Sequence, residues 1–394
     1  MTAAAGSTCP DVLDGSRADA TPTSDAAPAC REDERYLREQ LITYLGNKRS
    51  LLHTIDAALA RVRRRLGRKR LRMLDAFAGS GVVSRFFKQH ATRLISNDLE
   101  HYAGIIGECY LANASSIDFA ALRRHHAHVT HAADTLPVRD GFIRRLYAPA
   151  CDDAIRPGER VFFTVDNAMR IDSMRAAIRE TPAGIQPFLL GPLLAEASVH
   201  NNTSGVFKGF YKDARGVGRF GGQSGDALAR ILGRIELPFP VFSRFECDVQ
   251  VHREDANQLV RRLPAVDVAY FDPPYNQHPY GSNYFMLNLI ATYEEPASIS
   301  EVSGIAQGWQ RSVYNRRAAA RDALEDLIAH TPATHLLISY NSEGFISREQ
   351  FDATLSRFGR VEVIETVYNT FRGSRNLRNR PLHVKEQLYL VERA

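Results

Sequence analysis

From Tyr36 onward, apolar positions recur with two alternating periods. A helix-period stretch through Leu51 to Leu66 leads into an apolar run at Leu71 to Phe77; a helix is expected after Gly81, and a second run follows at Thr92 to Asp98. The last third resumes this alternation, with strands expected at Asp267 to Asp272, His335 to Asn341, Val361 to Tyr368 and Gln387 to Val391, and a helix at Ala318 to His330. Strands alternating with helical segments predict an α/β fold, a doubly wound, mostly parallel sheet. The last two strands, joined by a short Arg-rich loop, are expected to form an antiparallel hairpin at the sheet edge. Residues 105–250 pattern more weakly, with a Gly-rich segment and several Pro, and read as an inserted domain between two parts of the main one, 35–104 and 251–394. Residues 1–34, rich in Ala, Ser, Thr, Pro and Asp without periodicity, read as a disordered leader.

Composition narrows the class only slightly. With 44% hydrophobic and 24% charged residues over 394 positions, the chain can bury a full core, and its net charge of +5 permits a polyanionic partner without requiring one. Five cysteines, Cys9, Cys30, Cys109, Cys151 and Cys247, include no C-x-x-C pair, so neither a zinc site nor a disulfide framework is indicated. None of the histidines pairs with a carboxylate at a ligand spacing, and no metal is expected. No apolar run reaches the length of a membrane span, and a cytoplasmic location is expected.

The most specific signal is Asp272-Pro273-Pro274-Tyr275, directly after the apolar run Val266 to Phe271. A random chain of this length contains that tetrapeptide with a probability on the order of one in a thousand. An acid, two rigid prolines and an aromatic at the carboxyl end of a strand suit a site that grips one planar amine and stacks on its ring. The amine of a base such as adenine is a weak nucleophile because its lone pair is delocalised. The Asp272 carboxylate and the Pro273 carbonyl can accept its two N–H bonds and stabilise charge as it develops. Proline fixes φ and so aims that carbonyl. Tyr275 offers a stacking face worth roughly 1–3 kcal/mol. The plainer alternative is a strand-ending turn with a buried Tyr.

A second constellation suits a nucleoside cofactor. Asp75-Ala76-Phe77-Ala78-Gly79-Ser80-Gly81 follows the first strand, and its glycines allow close backbone approach before a helix begins. The next strand ends in Asn97-Asp98-Leu99-Glu100, where an acid can accept ribose hydroxyls. A generic strand turn or a dinucleotide site would share these features. An adenosyl cofactor is favoured because Ser84 stands where the third glycine of the dinucleotide fingerprint belongs. Tyr44-Leu45-Gly46-Asn47-Lys48-Arg49 precedes this region, and Val251-His252-Arg253-Glu254-Asp255 ends a further candidate strand in an acid.

In this order, Tyr44-x-Gly46-x-Lys48, Asp75-x-Phe77-x-Gly79-x-Gly81, Asn97-Asp98, a long insertion, Asp255 and Asp272-Pro273-Pro274-Tyr275, the chain resembles the alpha group of N(6)-adenine DNA methyltransferases, the Dam-like enzymes. The segment Tyr368 to Asn376 is also similar to restriction-associated members. The resemblance implies a Rossmann-like methyltransferase sheet interrupted by a DNA target-recognition domain, S-adenosylmethionine as cofactor and double-stranded DNA as partner. A separate cognate restriction endonuclease would accompany it. It further implies that Tyr44 and Lys48 contact the methionine portion of the cofactor, and that Phe77 and the Gly79 to Gly81 turn line it. Asp98 would hold the ribose, Asp255 would sit near the cofactor adenine, and Asp272 to Tyr275 would hold the target base. The rivals are a methyltransferase acting on the cytosine amine or on RNA adenine, and a catalytically silent DNA-binding module.

Because the target amine lies inside a duplex, such an enzyme must flip its base out. The stretch His200 to Lys212 combines amides, basic residues and aromatics, so Asn201, Asn202, Lys208, Tyr211 and Lys212 are candidate DNA contacts. Arg372 and Arg375, in the Arg-rich loop with Arg378 and Arg380, are further candidates. Tyr280 and Tyr284 either close over the flipped base or pack in the core.

Overall fold

The computed structural model describes residues 31–222, 225–369 and 383–393. Its centre is a seven-stranded sheet of β1 (Leu71–Asp75), β2 (Ala91–Asn97), β3 (Asp248–His252), β4 (Val266–Phe271), β5 (Ala333–Asn341), β6 (Gly359–Asn369) and β7 (His383–Arg393), in the order β3-β2-β1-β4-β5-β7-β6. The pairs among β1 to β5 are parallel, whereas β7 runs antiparallel to both β5 and β6. The expected hairpin is present, with β6 at the edge and β7 turned inward. Its connecting loop, which carries Arg372 and Arg375, lies outside the described residues.

Period-two burial explains why these segments became strands. On β4, Ala269 and Phe271 join one apolar cluster while Val268 and Tyr270 join the opposite one; on β7, Tyr389 and Val391 face the first and Leu388 and Leu390 the second. The helices Arg317–His330 and Arg348–Leu355 cover the first face through Leu324, Leu327, Phe351 and Leu355. The helix Leu52–Leu66 covers the second with a stripe of Ile55, Ala58, Leu59 and Val62, and it stops at Gly67 in the left-handed conformation.

Residues 105–250 contribute helices, the longest being Phe119–Thr135, Val165–Arg179 and Gln186–Val199. Their apolar cluster also takes in Tyr36 and Ile42 from upstream and Tyr284 to Ala291 from downstream of β4. Of the expected leader, residues 1–30 lie outside the described residues. Asp33 caps the helix Glu34–Arg38, and Glu32 is buried and accepts from the Arg244 N–H at 3.0 Å. The order reverses between β1 and β4, and at the carboxyl ends flanking such a switch point an open α/β sheet leaves a crevice.

Candidate active site

That crevice is a cleft walled by the turn after β1, the ends of β2 and β4, the loop before the helix Leu52–Leu66 and the segment Gln310 to Asn315. The turn after β1 needs its glycines. Gly79 and Gly81 adopt φ of +53° and +76°, and a Cβ on Gly79 would stand 3.0 Å from the Tyr44 ring. Tyr44 therefore lies directly over the turn. It also stacks on Tyr280 and Tyr284 at 5.1 and 4.7 Å, so these two side chains serve an aromatic cluster. Asp98 ties the turn to β2, its Oδ2 accepting from the Gly79 N–H at 2.8 Å and its Oδ1 from the Glu100 N–H at 2.9 Å. Asp255 caps the short helix Ala256–Leu259 by accepting from the Gln258 N–H at 3.1 Å.

Of the residues singled out from sequence, Tyr44, Gly46, Lys48, Phe77, Gly79, Asp98, Asp255, Asp272, Pro274 and Tyr280 line the cleft. Asp75 and Gly81 are not in its wall. Asp75 lies buried beneath the turn, accepting from the Ser84 Oγ–H at 2.7 Å, and burial pushes its carboxyl up to about 7. Pro273 is buried, and the Tyr275 carbonyl accepts from the Phe345 N–H at 3.0 Å while its ring meets Tyr340 edge-on. These interactions lock the tetrapeptide turn onto the loop after β5.

Lys48 reaches from the Tyr44 loop to the same turn. Its ammonium is buried, 3.1 Å from Asp272 Oδ1 and 2.7 Å from Glu386 Oε1. The Asp272 side chain keeps about a fifth of its surface exposed. Burial raises the Asp272 carboxyl above the ordinary Asp range, with Lys48 opposing the shift and Glu386 adding to it.

Sequence reasoning missed Glu100, Ser312, Tyr314 and Asn315 in the wall and Glu386 behind it. Glu100 accepts from Asn288 Nδ2 at 2.6 Å, and burial pushes it up to about 7. It stands in the Asn97-Asp98-Leu99-Glu100 motif, so its position was visible though its role was not. Glu386 also left a signal, an acid in period with buried Leu388 and Leu390. Nothing local marked the Ser312 to Asn315 segment.

The candidate DNA contacts divide. Asn201 and Asn202 are buried, and their amides are committed to backbone: Asn201 donates to the Ala197 and Ser198 carbonyls, Asn202 to those of Val161 and Arg219. They clasp the loop and have no donor left for a base edge, so the expectation that they read bases is withdrawn. Lys208 is exposed, with Nζ 3.2 Å from Nδ1 of His278 just beyond the tetrapeptide, and Lys212 lies over the Phe210 ring. Tyr211 is partly buried. The basic loop and the tetrapeptide loop thus meet at one edge of the site.

The electrostatics of the cleft test its cofactor. Asp98, Glu100, Glu254, Asp255 and Asp272 line it together with the ammonium of Lys48, which two carboxylates already engage. A dinucleotide would bring a pyrophosphate into this acidic surround, whereas a cationic sulfonium nucleoside meets complementary charge. Among the described residues no helix is long and apolar enough to cross a membrane, and no group of three or more His, Cys, Asp or Glu is placed to hold a metal ion.

Comparison with known proteins bears on this site. The family model for the D12 class N6 adenine-specific DNA methyltransferase matches residues 44–302, from Tyr44 through the tetrapeptide. The Type II methyltransferase M.NlaIII of Neisseria lactamica is 28% identical over 360 residues, 89% of this chain and 99% of the relative. The Type II methyltransferase M.CviAII of Paramecium bursaria Chlorella virus 1 is 29% identical over 340 residues, covering 84% and 93%. The modification methylase StsI of Streptococcus sanguinis is 28% identical over 369 residues, 89% of this chain and 52% of the relative.

Proposed function

Because the chain belongs to the D12 class of N6 adenine-specific DNA methyltransferases, we propose that the cleft binds S-adenosylmethionine and presents its methyl group to an adenine flipped from duplex DNA against Asp272-Pro273-Pro274-Tyr275. The reading rests on one juxtaposition. An acid-lined nucleoside cleft and a rigid acceptor turn share a wall at the carboxyl ends of β1 and β4.

Bound there, S-adenosylmethionine supplies an electrophilic methyl on a sulfonium. Asp98 accepts the ribose hydroxyls, Asp255 meets the adenine of the donor, and Tyr44 with the Gly79 to Gly81 turn holds the methionine end. The Asp272 carboxylate and the Pro273 carbonyl accept the two N–H bonds of the target amine, localising its lone pair toward the methyl carbon. Tyr275 stacks on the flipped base, and alignment of the two reactants supplies much of the rate. The raised Asp272 carboxyl is then a suitable acceptor for the proton the methylated amine must lose.

Residues 105–250 act as the target-recognition insertion, with Lys208, Tyr211 and Lys212 on the duplex beside the tetrapeptide. Arg372 and Arg375 are assigned to the DNA backbone on sequence grounds. Two of the relatives are Type II methyltransferases and the third a modification methylase by name, which supports a role as the modification partner of a separate restriction endonuclease.

Transfer of label from tritiated S-adenosylmethionine to duplex DNA, followed by digestion to nucleosides, tests the reading. Label should run with N6-methyldeoxyadenosine; label on cytosine, or only on RNA, would overturn it. Alanine at both Lys208 and Lys212 should weaken DNA binding across sequences and reduce the slope of log affinity against log salt by about 1 for each phosphate no longer neutralised. An unchanged slope would remove these lysines from the interface.

A further inference from the structure

We propose that Glu386, on the last strand and remote in sequence from every motif of the site, is a positioning residue for methyl transfer that acts on Asp272 through Lys48. The assignment rests on the proposed function and extends it to a residue outside the cleft wall.

The topology puts Glu386 there. Because β7 runs antiparallel between β5 and β6, the amino-terminal part of β7 lies beside the carboxyl end of β5, with Glu386 in register with Asn341. That is the end of the sheet where the cleft opens. Glu386 is 2% exposed, and its carboxylate meets Lys48 Nζ at 2.7 Å and Ser339 Oγ–H at 2.7 Å on Oε1, and Asn341 Nδ2 at 3.4 Å on Oε2, the last two from β5. A carboxylate so deeply buried is retained only where donors satisfy it.

Lys48 is the shared partner, and the geometry is unequal. Its ammonium lies closer to Glu386 than to Asp272, 2.7 against 3.1 Å. Lys48 already pairs with Asp272 Oδ1; without the second carboxylate the ammonium would be held by Asp272 alone and draw more charge from it. With Glu386 sharing the ammonium, Asp272 keeps a partly exposed, more electron-rich face for the target amine. Glu386 therefore sets both where Asp272 points and how strongly it accepts.

The charge balance runs the same way. Burial raises the Asp272 carboxyl, Lys48 lowers it and Glu386 raises it again. The other titratable groups facing Asp272 are Asp75 on β1, Tyr270 on β4, Tyr275 in the turn and Tyr280 beyond it; the tyrosines are held neutral by burial, and Asp75 is pushed up to about 7. The carboxylate is the form that accepts the amine, so the rate falls as pH drops through the raised Asp272 pKa. Neutralising Glu386 removes a raising influence, and the acid limb of the rate should move to lower pH.

The test is kcat against pH at saturating DNA and S-adenosylmethionine for the wild type, Glu386→Gln and Glu386→Asp, with both affinities measured by equilibrium binding. Glu386→Gln should lower kcat at pH 8 by roughly 10- to 100-fold, shift the acid limb down by about one pH unit and leave both affinities unchanged. Glu386→Asp keeps the charge and withdraws it by one methylene; it should return the acid limb to the wild-type position while kcat stays reduced. A folded Glu386→Gln enzyme whose acid limb has not moved overturns the assignment, whatever its kcat. If Glu386→Gln does not fold, Glu386→Asp with full wild-type kcat overturns it, and a reduced kcat at unchanged affinities supports it. A wild-type enzyme that places no methyl on adenine overturns the functional reading itself, an outcome distinguishable from failure of the Glu386 role alone.

Discussion

Replacing Asp272 with Ala is expected to reduce methyl transfer to adenine by at least about 10²- to 10³-fold, the loss typical of removing one group that stabilises charge in a transition state. The substitution removes one of the two acceptors assigned to the target amine and leaves the Pro273 carbonyl alone. The fold should survive it. Asp272 is partly exposed to the cleft, and Lys48 retains Glu386, so no buried cation is left unpaired. DNA affinity and the S-adenosylmethionine dissociation constant should stay within a few-fold of wild type, because neither ligand is assigned its main contacts through this carboxylate. Single-turnover transfer to duplex DNA measures the loss, and gel-shift binding measures the retained affinity. Undiminished methylation by the variant would refute the role given to Asp272.

The second large effect is expected on the donor. Asp98 holds the glycine turn through the Gly79 and Glu100 N–H groups and faces the cleft, where the proposed function assigns it the ribose. Asp98→Ala removes charge-assisted hydrogen bonds, each worth roughly 1.5–3 kcal/mol, and leaves two backbone donors without a partner. The dissociation constant for S-adenosylmethionine should rise by roughly 10- to 150-fold, while DNA affinity is unchanged. Isothermal titration with the donor and with DNA separately distinguishes the two. An unchanged donor affinity would detach Asp98 from the cofactor and leave it as a support for the turn.

Legibility from sequence followed the range of the interactions. The glycine turn and the Asp272 tetrapeptide are local devices: left-handed backbone at Gly79 and Gly81, and fixed φ at two prolines, depend on residues adjacent in the chain. The helices of 105–250 were harder to read because their faces mix signals. Val165–Arg179 buries Arg170, Asp172 and Arg175, with Arg170 paired to Asp134 and Asp172 accepting from the Ile143 and Arg144 N–H groups, so charge there does not mark solvent. The same ambiguity affected Asn201 and Asn202, whose amides suit a base edge but are taken by backbone carbonyls.

The sequence by itself determined the α/β class, the order of the motifs and part of the set of residues that face the cleft. Each follows from periodicity or from chemistry within a few residues. Only the tertiary structure decided which charges meet. Lys48 lies near one end of the fold and Glu386 near the other, and they touch because an antiparallel β7 inserts between β5 and β6 and carries Glu386 to the carboxyl end of β5. Strand pairing of that kind is nonlocal, so the buried group of Asp272, Lys48 and Glu386 exists only once the sheet has closed.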